Sequence, residues 1–280
     1  MAFKKARQST GGASLAAPAL DAGIYPARLV QIIDLGLQAG SREYPEPKYR
    51  MKFTFECMDE FCYEVKEDGS FDEDTPLLDK PRFFHREVTY NPDGYMGENS
   101  NIFPMMQVLS PSFSKTGSME EELGELLGRP VNILLKKYIT TGGKNKGKEA
   151  NSITGITPMK KKEFQTLQVM KESGNGVANL QLVNTPFFFD LDEPTLEGFN
   201  KLTKGNQYCD QDKILASTAY AGSKLAILRG DSVEEVPNKT FLDDEQEAGI
   251  DEAMAEEAEA QLKEAQDAES APFTEDDDIL

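Results

Sequence analysis

The densest concentration of positive charge in this 280-residue chain lies between positions 136 and 162. Eight lysines fall in that window against a single acid, Glu149, so the window carries +7 in a chain whose net charge is −19. Lysines at this density bind phosphate groups through charge alone, because the counterions that they displace supply free energy, and such binding weakens as salt rises. The eight are Lys136, Lys137, Lys144, Lys146, Lys148, Lys160, Lys161 and Lys162.

Two aromatic residues, Tyr138 and Phe164, bracket these lysines. Aromatic faces beside lysines are the surface on which unpaired bases stack. A lysine-rich hairpin is about as often an edge that only improves solubility, so both interpretations stay open at this point. The glycines Gly142, Gly143 and Gly147 do not match the G-x-x-x-x-G-K-[ST] spacing of a nucleotide phosphate loop.

The acidity of the chain belongs to one segment, residues 243–280. That segment holds sixteen acids and one base, whereas residues 1–242 hold 33 acids and 29 bases and carry only −4. Like charges at this density repel one another and little apolar surface is left to bury, so we expect disorder over 231–280. The ending, Asp276-Asp277-Asp278-Ile279-Leu280, adds two apolar residues that a merely solvating tail would not need.

Alternation and turn residues predict a β-rich body with short helices. Arg50 and Lys52 share one face of the second strand beside aromatic residues, which suits either a nucleic-acid groove or a solvated face over an aromatic core. The last two strands form a hairpin with a tip rich in glycine and lysine. Strands are predicted over 24–36, 48–57, 82–90, 131–140 and 151–159, and helices over 100–109, 118–127, 195–202 and 212–220.

The number and spacing of cysteine and histidine residues argue against metal binding and catalysis. The three cysteines lack C-x-x-C spacing, and the one histidine has no Ser or Cys partner close in sequence. We therefore expect no enzymatic activity and no cofactor. A zinc site made by Cys57, Cys62, His85 and Cys209 is less expected than ordinary thiols and one polar histidine.

Composition divides the chain into four parts. A flexible basic arm is expected over 1–20, a body over 21–165 with an insertion at 64–125, a helical extension over 166–230, and the acidic tail over 231–280. The first part of the insertion, 64–80, is acidic and rich in turn residues. No apolar run approaches the roughly 20 residues of a membrane span. The first residues do not form a secretory signal. These observations favour a cytoplasmic protein that does not bind membranes.

Several segments together form a recognisable arrangement. They are Gly23-Ile24-Tyr25, Tyr49-Arg50-Met51-Lys52-Phe53, Leu127-Gly128-Arg129-Pro130-Val131, Ile153-Thr154-Gly155-Ile156, Phe189-Asp190-Leu191-Asp192 and the ending Asp276 to Leu280. This arrangement resembles the phage-type single-stranded DNA-binding proteins. The resemblance implies a β-rich α+β fold, namely an OB-like Greek-key barrel over 21–165 with inserted short helices, followed by the helical extension and a disordered acidic tail.

The resemblance also implies a function without catalysis: coating of single-stranded DNA, without sequence preference, during replication or recombination. The tail tip, Asp276 to Leu280, would recruit replication or recombination proteins, and the tail would compete with DNA. Formation of homo-oligomers stays open. The DNA contacts expected are Lys136, Lys137, Tyr138, Lys144, Lys146, Lys148, Lys160, Lys161, Lys162, Phe164, Arg50 and Lys52.

Two other functions are compatible with the same residues. One is a viral structural or assembly protein, in which the lysine hairpin is only an exposed edge. The other is a metal-dependent DNA-processing enzyme that uses Asp190 and Asp192. Two carboxylates without a third ligand are a weak metal signal, and a turn with a helix cap is the commoner explanation.

Overall fold

The structure, a computed structural model, describes residues 15–40, 44–66, 68, 70–72, 74–92, 97–98, 100–114, 119–141, 146–173, 179–205 and 208–231. The strands are β1 (Leu15–Ala16), β2 (Gly23–Gln38), β3 (Lys48–Glu64), β4 (Leu77–Tyr90), β5 (Pro130–Ile139), β6 (Glu149–Pro158) and β7 (Phe187–Phe189). The helices are α1 (Phe103–Leu109), α2 (Lys161–Ser173), α3 (Leu196–Lys201), α4 (Asp210–Leu215) and α5 (Lys224–Arg229), with a 3₁₀ turn at Leu123–Leu126. The predicted β-rich α+β class is confirmed.

The long strand β2 organises the sheet, because its two halves have different neighbours. Residues Gly23 to Arg28 pair with β5, and residues Ala27 to Gln38 pair with β3, both antiparallel. Beyond β3 lies β4, beyond β5 lies β6, and the short β7 runs parallel to β2. Register shifts interrupt β2, and one of them places Gly36 at φ +75°, a left-handed conformation that favours glycine.

The sheet curls so that β4 and β6 come together. A guanidinium nitrogen of Arg86 on β4 donates to the carbonyl of Thr154 on β6 over 2.7 Å. In the register of β3 and β4, Arg86 stands opposite Phe53, whose side chain is buried. The arginine therefore belongs to the inner side of the sheet and links β4 to β6 there.

The main core lies inside this curl. Alternating residues of the strands point inward, and α1 closes one side with four buried apolar residues. Its largest fully buried members include Phe53, Phe55, Leu29, Ile32, Ile102, Met106, Leu109, Leu126 and Ile133.

A second core joins the C-terminal helices to the outer side of β2. Ile33 and Leu35 of β2 are fully buried against Phe199 of α3 and Leu225 of α5. The segment between α4 and α5 is also hydrogen-bonded to the strand, since the backbone N–H of Thr218 donates to the Leu37 carbonyl at 2.9 Å. Within the predicted helical extension 166–230, the part that contains α3, α4 and α5 is thus packed on the outer side of the sheet.

The predicted strands all exist, with β3 and β4 longer than expected. The range 64–125, expected to be an insertion, contains β4, which pairs along β3, and α1, which belongs to the core. In the described part of the predicted helix 118–127 only the 3₁₀ turn is helical, because Gly124 disfavours an α-helix. The helix predicted over 212–220 ends at Leu215, since Ser217 and Thr218 turn to bond β2.

Two helices were not predicted. Residues 161–173 lack a continuous apolar stripe, and most of α2 is exposed. Residues 224–229 are few, but Ser223 caps α5 by accepting a hydrogen bond from the backbone of Ala226, and Gly230 ends it in a left-handed conformation. Within the described ranges, no helix is both long enough and apolar enough to span a membrane.

Candidate nucleic-acid interface

The outer face of the β5–β6 hairpin carries part of the lysine cluster. Val131, Ile133 and Leu135 of β5 are buried in the core. Because side chains alternate along a strand, Lys136 and Tyr138 face outward. Lys136 is exposed and Tyr138 is half-buried. Opposite them on β6 stand the small residues Ser152 and Ala150.

At one end of this hairpin, the turn between the strands holds two more lysines. The backbone N–H of Gly147 donates to the Thr140 carbonyl at 2.7 Å, and the N–H of Thr140 donates to the Lys148 carbonyl at 2.9 Å. Gly147 has φ +82°, which the tight turn requires. Lys146 and Lys148 are exposed here. Lys144 lies outside the described residues.

At the other end, three consecutive exposed lysines, 160 to 162, lead into α2. Glu163 fixes this start, since its carboxylate accepts from the Lys160 backbone and from the Asn132 side chain, each at 2.9 Å. The two ends of β5 are about 30 Å apart at 3.3 Å per residue. The exposed lysines therefore run along the whole hairpin, with Lys136 between the ends.

Lys137 lies on the other side of β5 and is balanced by acids. Its ammonium is 2.9 Å from Asp21 and 3.3 Å from Glu149. Hydrogen bonds to these two carboxylates raise the pKa of Lys137. The lysine thus ties the segment before β2 to the hairpin, and its charge is already neutralised within the protein.

Phe164 is held at the start of α2. The guanidinium of Arg28 lies 5.6 Å from the centre of its ring, and one nitrogen of that guanidinium donates to the Gly128 carbonyl. This cation–π contact fixes the half-buried ring beside the lysines of the α2 start.

Arg50 and Lys52 are not brought to the hairpin. Lys52 pairs with Ile33, five residues along β2 from Arg28, the last residue of β2 that pairs with β5, a separation of about 17 Å. Lys52 forms an ion pair of 2.7 Å with Asp210 of α4. Arg50 lies 3.9 Å from Glu87. Of the twelve predicted DNA contacts, the structure describes eleven and separates them into two places, with Arg50 and Lys52 apart from the nine others. The five tail residues 276–280 lie outside the described part.

The cysteines and the histidine do not converge. Cys57 faces the main core, where burial raises the pKa of its thiol. His85 stands on β4 opposite Thr54, and Cys62 pairs with Leu77. Across the described portion of the chain, no group of three or more His, Cys, Asp or Glu side chains is placed to hold a metal ion.

Asp190 and Asp192 form the predicted turn. The Asp190 carboxylate accepts a hydrogen bond of 2.8 Å from the backbone N–H of Asp192. The cap of the following helix is a different residue, Thr195, whose hydroxyl accepts from Gly198. The turn is confirmed, and the helix cap belongs to the threonine.

No family model, curated protein or solved structure matches this chain. Its function is therefore inferred from the geometry of the hairpin and the residues around it.

Beside the lysines lies an apolar row that sequence patterns alone did not identify as part of the surface. Ile24 of β2 pairs with Leu134 of β5, and Leu134 pairs with Gly155 of β6. Ile24 is 65% exposed. One sequence signal was available, namely a glycine in the interior of a strand, which often marks a bulge or a place where a ligand or another backbone approaches closely. Gly155 lies beside a bulge of β6.

Proposed function

We propose that this protein binds single-stranded DNA without sequence preference and coats it during replication or recombination, without catalysing a reaction. The observation that carries the proposal is the outer face of the β5–β6 hairpin. It presents exposed lysines at both ends and in the middle, with an aromatic ring and aliphatic side chains between them.

The combination favours a single strand over a duplex. Lysines contact the phosphates of both forms, because their contribution depends on charge alone. Tyr138 and the aliphatic row lie on one face of a sheet, and side chains in that position contact the faces of bases only when the bases are unpaired and unstacked. The charged groups then provide affinity, and the apolar groups provide the preference.

The strand connections support an OB-like Greek-key barrel as the framework. β2, β3 and β4 form a meander, β2 also pairs with β5, and β5 and β6 form a hairpin. Counting only the five long strands, β2 to β6, α1 lies in sequence between the third (β4) and the fourth (β5). Arg86 links the third (β4) to the fifth (β6). In that fold the loop between the fourth and fifth strands is one of the two that bind oligonucleotides, and here it is the lysine-bearing turn.

The proposed DNA contacts are fewer than those expected from sequence. Lys137, Arg50 and Lys52 lie next to carboxylates and serve the fold in this proposal. Phosphates are bound by lysines whose side chains are exposed, and bases stack on Tyr138 and Phe164. The phosphate-binding set is Lys136, Lys146, Lys148, Lys160, Lys161 and Lys162, together with Lys144 of the same turn.

The acidic tail has two roles in the proposal, both of which would take place in the cytoplasm of the cell that holds the DNA. Residues 243–280 carry −15 and compete with DNA for the lysines when the surface is empty. When DNA displaces them, Asp276 to Leu280 recruit replication or recombination proteins. Replacing Ile279 and Leu280 with Ser should abolish that recruitment and leave the affinity for DNA unchanged.

Fluorescence anisotropy with labelled oligo-dT and with a duplex, at two salt concentrations, tests the proposal. We expect salt-sensitive binding that is tighter for oligo-dT. Deleting residues 243–280 should tighten binding at low salt, whereas unchanged or weaker affinity would contradict the competing role of the tail. Absence of binding would favour a structural protein, and cleavage of the oligonucleotide with Mg²⁺ would favour an enzyme.

A further inference from the structure

The open face of the hairpin contains a continuous apolar row across three strands. Ile24, Leu134 and Gly155 are register partners on β2, β5 and β6. Leu134 is half-buried, and Ile24 is mostly exposed although it lies within a strand. Lys136 follows Leu134 two positions along β5 on the same face, about 7 Å away.

Neither the conformation nor the surroundings of Gly155 require a glycine. Its φ is not among the positive values of the described glycines, so the bulge beside it does not depend on a left-handed residue. A Cβ built at Gly155 would meet a single atom, the Leu134 Cδ2 at 4.0 Å, which is an ordinary van der Waals contact. A glycine inside a strand weakens the strand, so its presence here has a cost without a benefit to the described fold.

We propose that Ile24, Leu134 and Gly155 form a docking site for an unpaired base within the DNA interface. The base lies over Leu134 with Ile24 at one edge, and the bare backbone at Gly155 lets it approach β6 closely. This inference rests on the proposed function. An anionic ligand follows from the neighbouring lysines, and a flat apolar group follows from the row.

The site explains how the face distinguishes one strand from two. A duplex keeps its bases stacked inside, so it cannot place a base on the row and contacts only the lysines. A change in the row should therefore weaken binding of single-stranded DNA and leave duplex binding as it was. Loss of a lysine should weaken both.

Gly155→Val tests the docking site directly. Stacking of one base on an aromatic side chain is worth about 1–3 kcal/mol, and contact with an aliphatic row belongs at the lower end of that range. We therefore expect oligo-dT affinity to fall about fivefold, with Gly155→Ala intermediate and duplex affinity unchanged. Because a strand glycine is replaced, the melting temperature should stay equal to that of the wild type or rise by about 2–3 °C. A variant that is at least as stable but binds less tightly separates a ligand site from a structural role.

Ile24→Ser is the second variant, with Ile227→Ser as its matched control. Ile227 is equally exposed, at 68% against 65%, but lies on α5, away from the hairpin. We expect weaker oligo-dT binding for Ile24→Ser alone. If Gly155→Val lowers the melting temperature, the result for Ile24→Ser decides whether the docking site exists, because the Ile24 side chain is mostly outside the core.

The outcomes separate the two proposals. If the wild-type protein binds oligo-dT and both Gly155→Val and Ile24→Ser bind it with the same affinity, the docking site is overturned and the proposed function stands. Equal losses for oligo-dT and duplex also overturn it, since they would indicate a general effect on the surface. No binding by the wild-type protein overturns the proposed function, and the docking site with it.

Discussion

Lys52 donates a hydrogen bond of 2.7 Å to Asp210, and the two side chains are only 13% and 3% exposed. The pair joins β3 to α4. The other carboxylate oxygen of Asp210 accepts from the hydroxyl of Thr203 at 3.0 Å, so both of its oxygens are bonded. Lys52, which the sequence suggested as part of a DNA groove, thus holds the C-terminal helices on the sheet.

Asp210→Ala should destabilise the protein by about 3 kcal/mol, because it leaves the ammonium of Lys52 buried without its partner. Urea denaturation measures the change. Lys201→Ala, which breaks the exposed pair with Glu197, is the control and should cost less than about 1 kcal/mol. Equal effects of the two substitutions would show that the Lys52 pair does not anchor the helices.

Glu56→Gln should cost about 2 kcal/mol. The Glu56 carboxylate is buried and accepts from the backbone of Val183 at 2.6 Å and from the backbone and side chain of Asn184 at 3.1 and 2.8 Å. Glutamine keeps the volume but turns a donor toward one of these donors. Hydrogen exchange should quicken at the amides of residues 183 and 184, and unchanged exchange would contradict this role.

Asp59 should make stability fall as pH rises. Burial, and then the charge of Glu60, raises the pKa of Asp59 to about 7 in the folded protein. Between about pH 4, its unfolded pKa, and pH 7, the folded state therefore holds more protons than the unfolded state. The stabilisation from this proton is complete below pH 4 and is lost as the pH passes 7.

Asp59→Asn removes this titration and should stabilise the protein at pH 8 by about 2 kcal/mol, less than the whole shift because the side chain keeps some contact with water. The measurement is the free energy of unfolding of both proteins at pH 5 and pH 8. If the free energy of unfolding changes by the same amount between pH 5 and pH 8 in the wild type and in the variant, Asp59 does not cause the pH dependence.

The hairpin shows what the sequence could predict. Alternation and the glycine-rich turn predicted β5 and β6, because each signal is local. The partner of Lys137 could not be predicted, since Asp21 lies 116 positions away in sequence. The burial of Lys52 could not be predicted either, because it depends on how α4 packs against the sheet. Local patterns define strands and faces, but tertiary packing decides which charges stay exposed.

The central claim is that exposed lysines of the hairpin bind the DNA backbone. Its most direct test is the salt dependence of oligo-dT binding after Lys146, Lys148, Lys160 and Lys162 are all changed to Ala. Changing Lys66, Lys80, Lys201 and Lys204, four exposed lysines elsewhere, provides a control of equal charge.

We predict that the slope of log K against log salt becomes shallower by about 3 in the hairpin variant, at about 0.7 for each phosphate that the variant no longer neutralises, and stays near the wild-type value in the control. Equal slopes for the hairpin variant and the wild-type protein would contradict the claim.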